Sequence, residues 1–540
     1  AWRESRQAGA VLMLAAWAVS VALSAGCASA QAGQPPQLFD LHHLQTGFAA
    51  YQTVLPGSFT APGRAEIVTI DGSTHEPLDL CIFQVGAESV SPVFAATTNT
   101  PAAMGDTVNI NGRDCLVLPT HRALVVFDMK SGSERDVLPL PPYLPLRWPK
   151  GRVARVDIVR DLNADGRDDL VMPSADGFWI YLQGSDSSFS TARKIGPPEP
   201  HRDLVKHGDA GTYGASGLNP ENIPWYMGRI HQLDYDRDGL VDLAFWNDDH
   251  FHLFRQEAGG TFADHPESFS TGVDFDFDGA YSLAFQFGGK GLASWMLGWG
   301  PRLEYTMLHG FRDLNNDEVS DLITVTFAGR RAIGLDGRFN IYFGRPIPSG
   351  TAFPSSPNTV ANSPGPASGL AWGYATQHYI DIDGDGATDL GLASVKTTLG
   401  GMWRALAGKS VTIDVALYRM HDGEFSEAPD VFKRVRTPFS PFSRRGVLFP
   451  TVLVGDVNGD GRTDLLTGAR WNRLSVFLGT AAPQLLQDDP LHIAVELPSN
   501  EFNAMLADLN DDGSEDVIFH YPASDDGNRV TALLSRNDGS

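Results

Sequence analysis

The chain has 540 residues, 42% hydrophobic and 20% charged, a balance that supports a large buried core and excludes wholesale disorder. Asp and Glu number 65 against 41 Lys and Arg, and the net charge of −24 argues against a nucleic-acid binder and against adhesion to an anionic bilayer. With 56 Gly and 35 Pro, turns are frequent and short strands are expected rather than long helices.

Residues 1–30 read as an export signal. Arg3 and Arg6 form a charged start, Ala8 to Ala25 is an apolar run, and Ala28-Ser29-Ala30 is a small-residue cleavage site. Leu23 to Cys27 is similar to a lipoprotein signal with its Leu one place early, so a lipid anchor at Cys27 is the alternative. An exported periplasmic, outer-membrane-associated or extracellular location follows, with the membrane touched only through that anchor. Cys81 and Cys115 are then the two remaining cysteines, and one disulfide is expected.

Residues 31–150 read as an N-terminal β region that either joins the repeats or stands apart. Ala123–Asp128 with Asp136–Leu140 reads as a hairpin, a closing strand is expected within Leu38–Leu55, and prolines from Pro139 to Pro149 mark a stiff connector. Residues 151–540 carry a recurring acidic segment. Asp161, Asn163, Asp165, Gly166 and Asp169 set the pattern of positions 1, 3, 5, 6 and 9. It returns at Asp234, Asp236, Asp238 and Asp242; at Asp381, Asp383, Asp385 and Asp389; at Asp456, Asn458, Asp460 and Asp464; and at Asp508, Asn510, Asp512 and Asp516. A weaker copy holds Asp313, Asn315, Asp317 and Asp321 with Glu318 at position 6. Asp274, Asp276 and Asp278 form a doubtful copy with Ser282 at position 9, and a faint one runs from Asp71 to Asp79.

Alternate residues of a tight loop turn their oxygens inward. Positions 1, 3, 5 and 9 offer side chains, and position 7 can add a backbone carbonyl from Arg167, Leu240, Ala387, Arg462 or Ser514. Several hard oxygen donors on a flexible ring suit Ca²⁺, and about five or six structural ions are expected. An EF-hand is excluded, because position 12 is apolar or Thr rather than Glu and an apolar strand-like run follows each loop.

Asp-x-[Asp/Asn]-x-Asp-Gly-x-x-Asp-Leu followed by a second strand resembles the FG-GAP/VCBS repeat, over about residues 150–540. The resemblance implies an all-β, integrin α-like β-propeller with calcium-binding loops. It says little of activity, since the family serves adhesins, lectins and lyases. Seven blades are expected, with eight as the alternative. Val153–Val159 would be an inner strand, followed by strands at Asp169–Met172, at Phe178–Leu182 and near Phe189.

Trp225, Trp372 and Trp403 lie in insertions that map to the face opposite the acidic loops, where exposed rings suit sugar stacking or protein contacts. No Gly-x-Ser-x-Gly elbow, His-Glu-x-x-His motif or dinucleotide fingerprint occurs, and no catalytic residue is assigned. The expected role is a binding or adhesion scaffold for a carbohydrate or protein. A lyase-like polysaccharide enzyme or a purely structural envelope protein is the alternative.

Overall fold

Short apolar runs bounded by Asp, Gly and Asn make short strands, and their burial shows how they are used. Asp169–Ser174 is buried along its whole length, as a central strand covered on both faces must be. Ser133–Pro139 alternates exposed and half-buried residues, as an outer strand does. The computed structural model describes residues 38–46, 52–71, 76–86, 90–99, 101–102, 104–140, 153–174, 177–196, 227–247, 249–278, 303–329, 335–367, 376–395, 409–438, 440–443, 446–448, 452–498, 503–510, 512–522 and 528–536.

These strands form an eight-bladed all-β propeller of antiparallel sheets. Blade 1 is Gln52–Gly57, Glu66–Asp71, Asp79–Val85 and Val90–Thr97; blade 2 is Met104–Ile110, Arg113–Pro119, Ala123–Asp128 and Ser133–Pro139. Blade 3 is Val159–Arg160, Asp169–Ser174, Gly177–Tyr181 and Arg193–Ile195; blade 4 is His231–Leu233, Asp242–Asn247, His250–Phe254 and Glu267–Phe269. Blade 5 is Leu303–Arg312, Asp321–Gly329, Leu335–Tyr342 and Thr359–Ala367; blade 6 is Thr376–Ile380, Asp389–Val395, Ser410–Tyr418 and Val431–Pro438. Blade 7 is Val452–Gly455, Asp464–Arg470, Arg473–Phe477 and Leu491–Ile493. Blade 8 takes Ala504–Ala507, Asp516–Pro522 and Asn528–Ser535 from the C-terminus and Phe39–Gln45 from the N-terminus, with Phe39 opposite Ser535.

The blade count is therefore eight rather than seven. Blades 1 and 2 lack the acidic loop by which repeats were counted. In blade 1, Glu66 takes the place of the ninth-position Asp: it is buried and accepts the Thr60 N–H at 2.6 Å. In blade 2 the loop shrinks to Asn111-Gly112, both at positive φ (55° and 75°), a two-residue hairpin turn of the primed type.

Three further expectations are corrected. Val153–Val159 is not one inner strand: Ala154–Arg155 pairs parallel with Met104 and Gly105 of blade 2, and blade 3 begins only at Val159. The fourth strand of blade 3 is Arg193–Ile195, beyond Phe189. Cys81 and Cys115 form no disulfide; both are free and buried, in the third strand of blade 1 and the second of blade 2. Each packs in a separate apolar cluster.

The core lies between blades. Leu44, Val54, Ile67, Ile518 and Val530 join blade 8 to blade 1, and Leu314, Phe339, Leu392 and Tyr418 join blade 5 to blade 6. Removal of this surface from water supplies the main drive for closure. Residues 1–37, with the signal sequence and Cys27, lie outside the described residues. Among the described residues no helix is long and apolar enough to cross a membrane.

Candidate metal centres

All six acidic loops connect the first strand of a blade to its second, in blades 3 to 8, and so share one face. The first Asp folds the loop on itself. Its Oδ2 accepts the N–H of position 6: Gly166 at 2.8 Å, Gly239 at 2.9 Å, Glu318 at 2.9 Å, Gly386 at 2.9 Å, Gly461 at 2.7 Å and Gly513 at 2.9 Å. The Asp at position 5 then accepts the N–H of position 7, from Arg167 at 3.0 Å in blade 3 to Ser514 at 2.8 Å in blade 8. Position 6 lies at positive φ in each loop, and Glu318, at 64°, adopts it beside glycines at 78° to 86°.

The Asp at position 9 is a clamp. In blade 7, Asp464 accepts Val457 N–H at 2.9 Å and, across the sheet, Gly479 N–H at 2.6 Å. Asp169, Asp242, Asp321, Asp389 and Asp516 make the same two bonds, which tie the loop to the end of the third strand. Burial pushes these carboxyls up, to about 7 for Asp169, Asp321, Asp389, Asp464 and Asp516 and to about 6 for Asp242. The two amides pull the other way, and the remaining loop carboxylates add to the push.

Position 3 divides the loops into two kinds. In three of the four loops where it is Asn, its amide donates to the Asp at position 5: Asn163 to Asp165 at 3.0 Å, Asn315 to Asp317 at 3.1 Å, Asn510 to Asp512 at 2.8 Å; in the fourth, Asn458 Oδ1 accepts the Asp460 N–H at 3.1 Å. Where it is Asp, an arginine from the end of the third strand holds it. Arg419 Nη1 donates to Asp383 Oδ2 at 2.8 Å, and Arg255 pairs with Asp236. In both cases Oδ1 is buried and accepts nothing. These are also the two loops whose first three carboxylates each bring an oxygen within 4.8 Å of the others: Asp234, Asp236 and Asp238, and Asp381, Asp383 and Asp385. A buried carboxylate oxygen without a donor beside two more carboxylates fits a hard divalent cation. At position 7 the side chains of Arg167 and Arg462 pair with Asp165 and Asp460 of their own loops, and Ser514 is buried.

Neighbouring loops are also joined. Thr463 Oγ1 donates to the carbonyl of Asp381 at 2.6 Å, and Glu515 N–H to the carbonyl of Asp456 at 2.7 Å. Asn316 Nδ2 donates to the carbonyl of Gly386 at 3.2 Å.

The doubtful copies are not such loops. Asp278 lies in Phe277–Asp278, a strand that pairs parallel with Met307 and Leu308, and its carboxylate meets His231 Nε2 at 2.7 Å and Arg229 Nε at 3.3 Å. Asp71 and Asp79 face each other across a second-to-third-strand connection. Trp225, Trp372 and Trp403 lie outside the described residues. Sequence reasoning missed Arg255 and Arg419. The signal was present: the residue before the amide that binds position 9 is Arg only where position 3 is Asp, and is Leu182, Phe343, Leu478 or Leu534 where it is Asn.

Fold and loops together define an all-β propeller with acidic first-to-second-strand loops. The chain carries an FG-GAP repeat: the family model described by that name matches residues 449–477, covering the loop and the flanking strands of blade 7. No curated protein matches the sequence. Among solved structures it is similar to the Tc holotoxin pore of Photorhabdus luminescens (14% identity, TM-score 0.30, 88% of this chain and 18% of that one). It is also similar to the biofilm matrix protein Bap1 of V. cholerae (10% identity, TM-score 0.35, 91% and 88%). A third is the WD40 domain of SCAP from fission yeast (8% identity, TM-score 0.38, 93% and 98%). The chain thus spans less than a fifth of the toxin chain, and with TM-scores below 0.5 these likenesses do not extend to function.

Proposed function

We propose that the protein is an exported, calcium-stabilised β-propeller that presents a binding surface to a carbohydrate or protein partner. The observation that carries this reading is the common hydrogen-bonded frame of six loops on one face, two of which hold a buried, unpartnered carboxylate oxygen. Calcium would be held by the carboxylates and amide oxygens of positions 1, 3 and 5, with the clamp at position 9, and would supply neutralising charge. Extracellular calcium modules bind with Kd of roughly 0.1–1 mM. At about 1 mM calcium and a Kd of about 0.1 mM, each site adds about 1.4 kcal/mol. Five or six such sites rival the stability of a whole domain, which makes calcium structural. Export rests on the signal-like residues 1–30.

The test has two parts. Chelation of calcium-loaded protein should lower the melting temperature by many degrees, and an unchanged melting temperature overturns the metal assignment. A glycan array, run beside an assay for unsaturated uronate release, should give binding without product; product formation would instead favour the lyase-like alternative.

A further inference from the structure

A cleft of about 480 Å³ opens at the inner edge of blades 4, 5 and 6, on the side of the acidic loops. Its walls come from three inner strands and carry groups that the loops and blade cores do not use. The second strand of blade 5 skips one residue of the first between Leu308 and Gly310, so His309 is the extra residue of a β-bulge, and Gly310 takes a φ of 153°. Bulges re-aim side chains, and here His309 Nδ1 is brought to 2.8 Å from the hydroxyl of Tyr379 of blade 6. Burial pushes the His309 imidazole down to about 4, so it is neutral at physiological pH. Across the cleft His231 is fixed by the buried Asp278 at 2.7 Å. The guanidinium carbon of Arg312 lies 4.5 Å from the centroid of the Tyr379 ring. Arg312 is exposed and, among the described residues, in no ion pair with a carboxylate.

One planar cation laid on an aromatic ring suits a carboxylate, which its fork can grip. The neutral imidazole of His309, the imidazole of His231 already held by Asp278, a phenol, the Gln232 amide and the Ser320 hydroxyl around it suit hydroxyl groups rather than a second charge. The volume lies within the range of small-molecule sites. Asp234 and Asp313 also line the cleft. They oppose an anion until their loops are neutralised, so calcium should favour binding.

We infer that this cleft binds an acidic sugar, with Arg312 on the carboxylate and His309, Tyr379 and His231 along the ring hydroxyls. The inference deepens the proposed binding role and rests on its carbohydrate arm.

Calorimetric titration in millimolar calcium with sodium glucuronate, glucose and sodium acetate tests it. Glucuronate is expected to bind at least about tenfold more tightly than either of the others. Arg312→Met should weaken it by about tenfold or more, the scale of a lost charged hydrogen bond. Arg338→Met, an exposed cation on the third strand of blade 5, should leave it unchanged. His309→Gln is the second variant should Arg312→Met not fold, with an expected loss of at least about threefold. Equal affinity for glucuronate and glucose, or for glucuronate and acetate, overturns the assignment, as does an unaffected Arg312→Met or no heat with any probe. Undiminished binding of Arg312→Met to an array polysaccharide overturns the cleft alone. A native chain that binds glucuronate but no polymer or protein overturns the broader reading alone.

Discussion

Arg419 Nη1 sits 2.8 Å from Asp383 Oδ2, and one arginine–aspartate pair of this kind occurs in each loop with Asp at position 3. The arginine offsets the charge that Asp adds over Asn, so the loop keeps the sum that positions 1, 5 and 9 alone would give. It also turns Oδ1 inward without a donor. Each such loop keeps one buried carboxylate oxygen without a hydrogen-bond donor.

Arg419→Leu should therefore destabilise the calcium-free protein by about 1.5–3 kcal/mol, the usual value of a hydrogen bond to a charged group. Adding Asp383→Asn should restore most of the loss, because Leu with Asn is the combination of blades 3, 7 and 8. A double-mutant cycle by denaturant unfolding measures the coupling. Additive effects would break the link between the two positions.

Glu318 adopts the left-handed conformation that glycine holds in the other five loops, at φ 64°. That region costs an ordinary residue about 1–2 kcal/mol, and glycine loses about 0.5–1 kcal/mol of that gain through its greater freedom when unfolded. Glu318→Gly should raise stability by about 0.5–1 kcal/mol. Gly461→Ala should cost about 0.5–1 kcal/mol, the strain less the same unfolded-state contribution, since nothing lies within 4 Å of the added methyl. Melting curves in excess calcium check both signs.

The raised carboxyls at position 9 set a pH dependence. Their ordinary value is near 4, and in the folded chain it is about 6 to 7. Between those limits the folded state holds protons that the unfolded state has released, so calcium-free stability falls as pH rises from about 4 to about 7. His309, pushed down to about 4 by burial, and His252, also pushed down by burial, work in the opposite sense but are two groups against six. Protein dialysed free of metal should melt higher at pH 5 than at pH 7.5. Calcium needs these groups ionised and should reverse the order. Calorimetry at the two pH values decides; a flat profile without metal would remove the raised carboxyls.

Ring closure depends on one strand from the far end of the chain. Phe39 and Leu44 are 1% and 2% exposed, and Leu44 packs with Val54, Ile67 and Val530. Deletion of residues 39–45 leaves Asn528–Ser535 as an open edge, which favours self-association. Light scattering should show aggregates, while Leu44→Ala should stay monodisperse and lose about 2–5 kcal/mol.

Sequence alone determined the acidic loops, because their hydrogen bonds close within nine residues and depend on Asp oxygens and a residue at positive φ. It likewise determined the strand that follows each loop, an apolar run that must be covered on both faces. Tertiary structure decided what depends on distant partners. Blades 1 and 2 carry no acidic loop and exist because neighbouring blades cover their faces, although Asn111-Gly112 was a readable hairpin signal. Asp278 resembles a loop ligand until Arg229 and His231 are seen to hold it. Cys81 and Cys115 suit a disulfide by number, but the fold sets them in different blades and clusters. Arg419 and Asp383 meet only because the third strand returns antiparallel to the loop, a register fixed by packing between blades rather than by any local pattern.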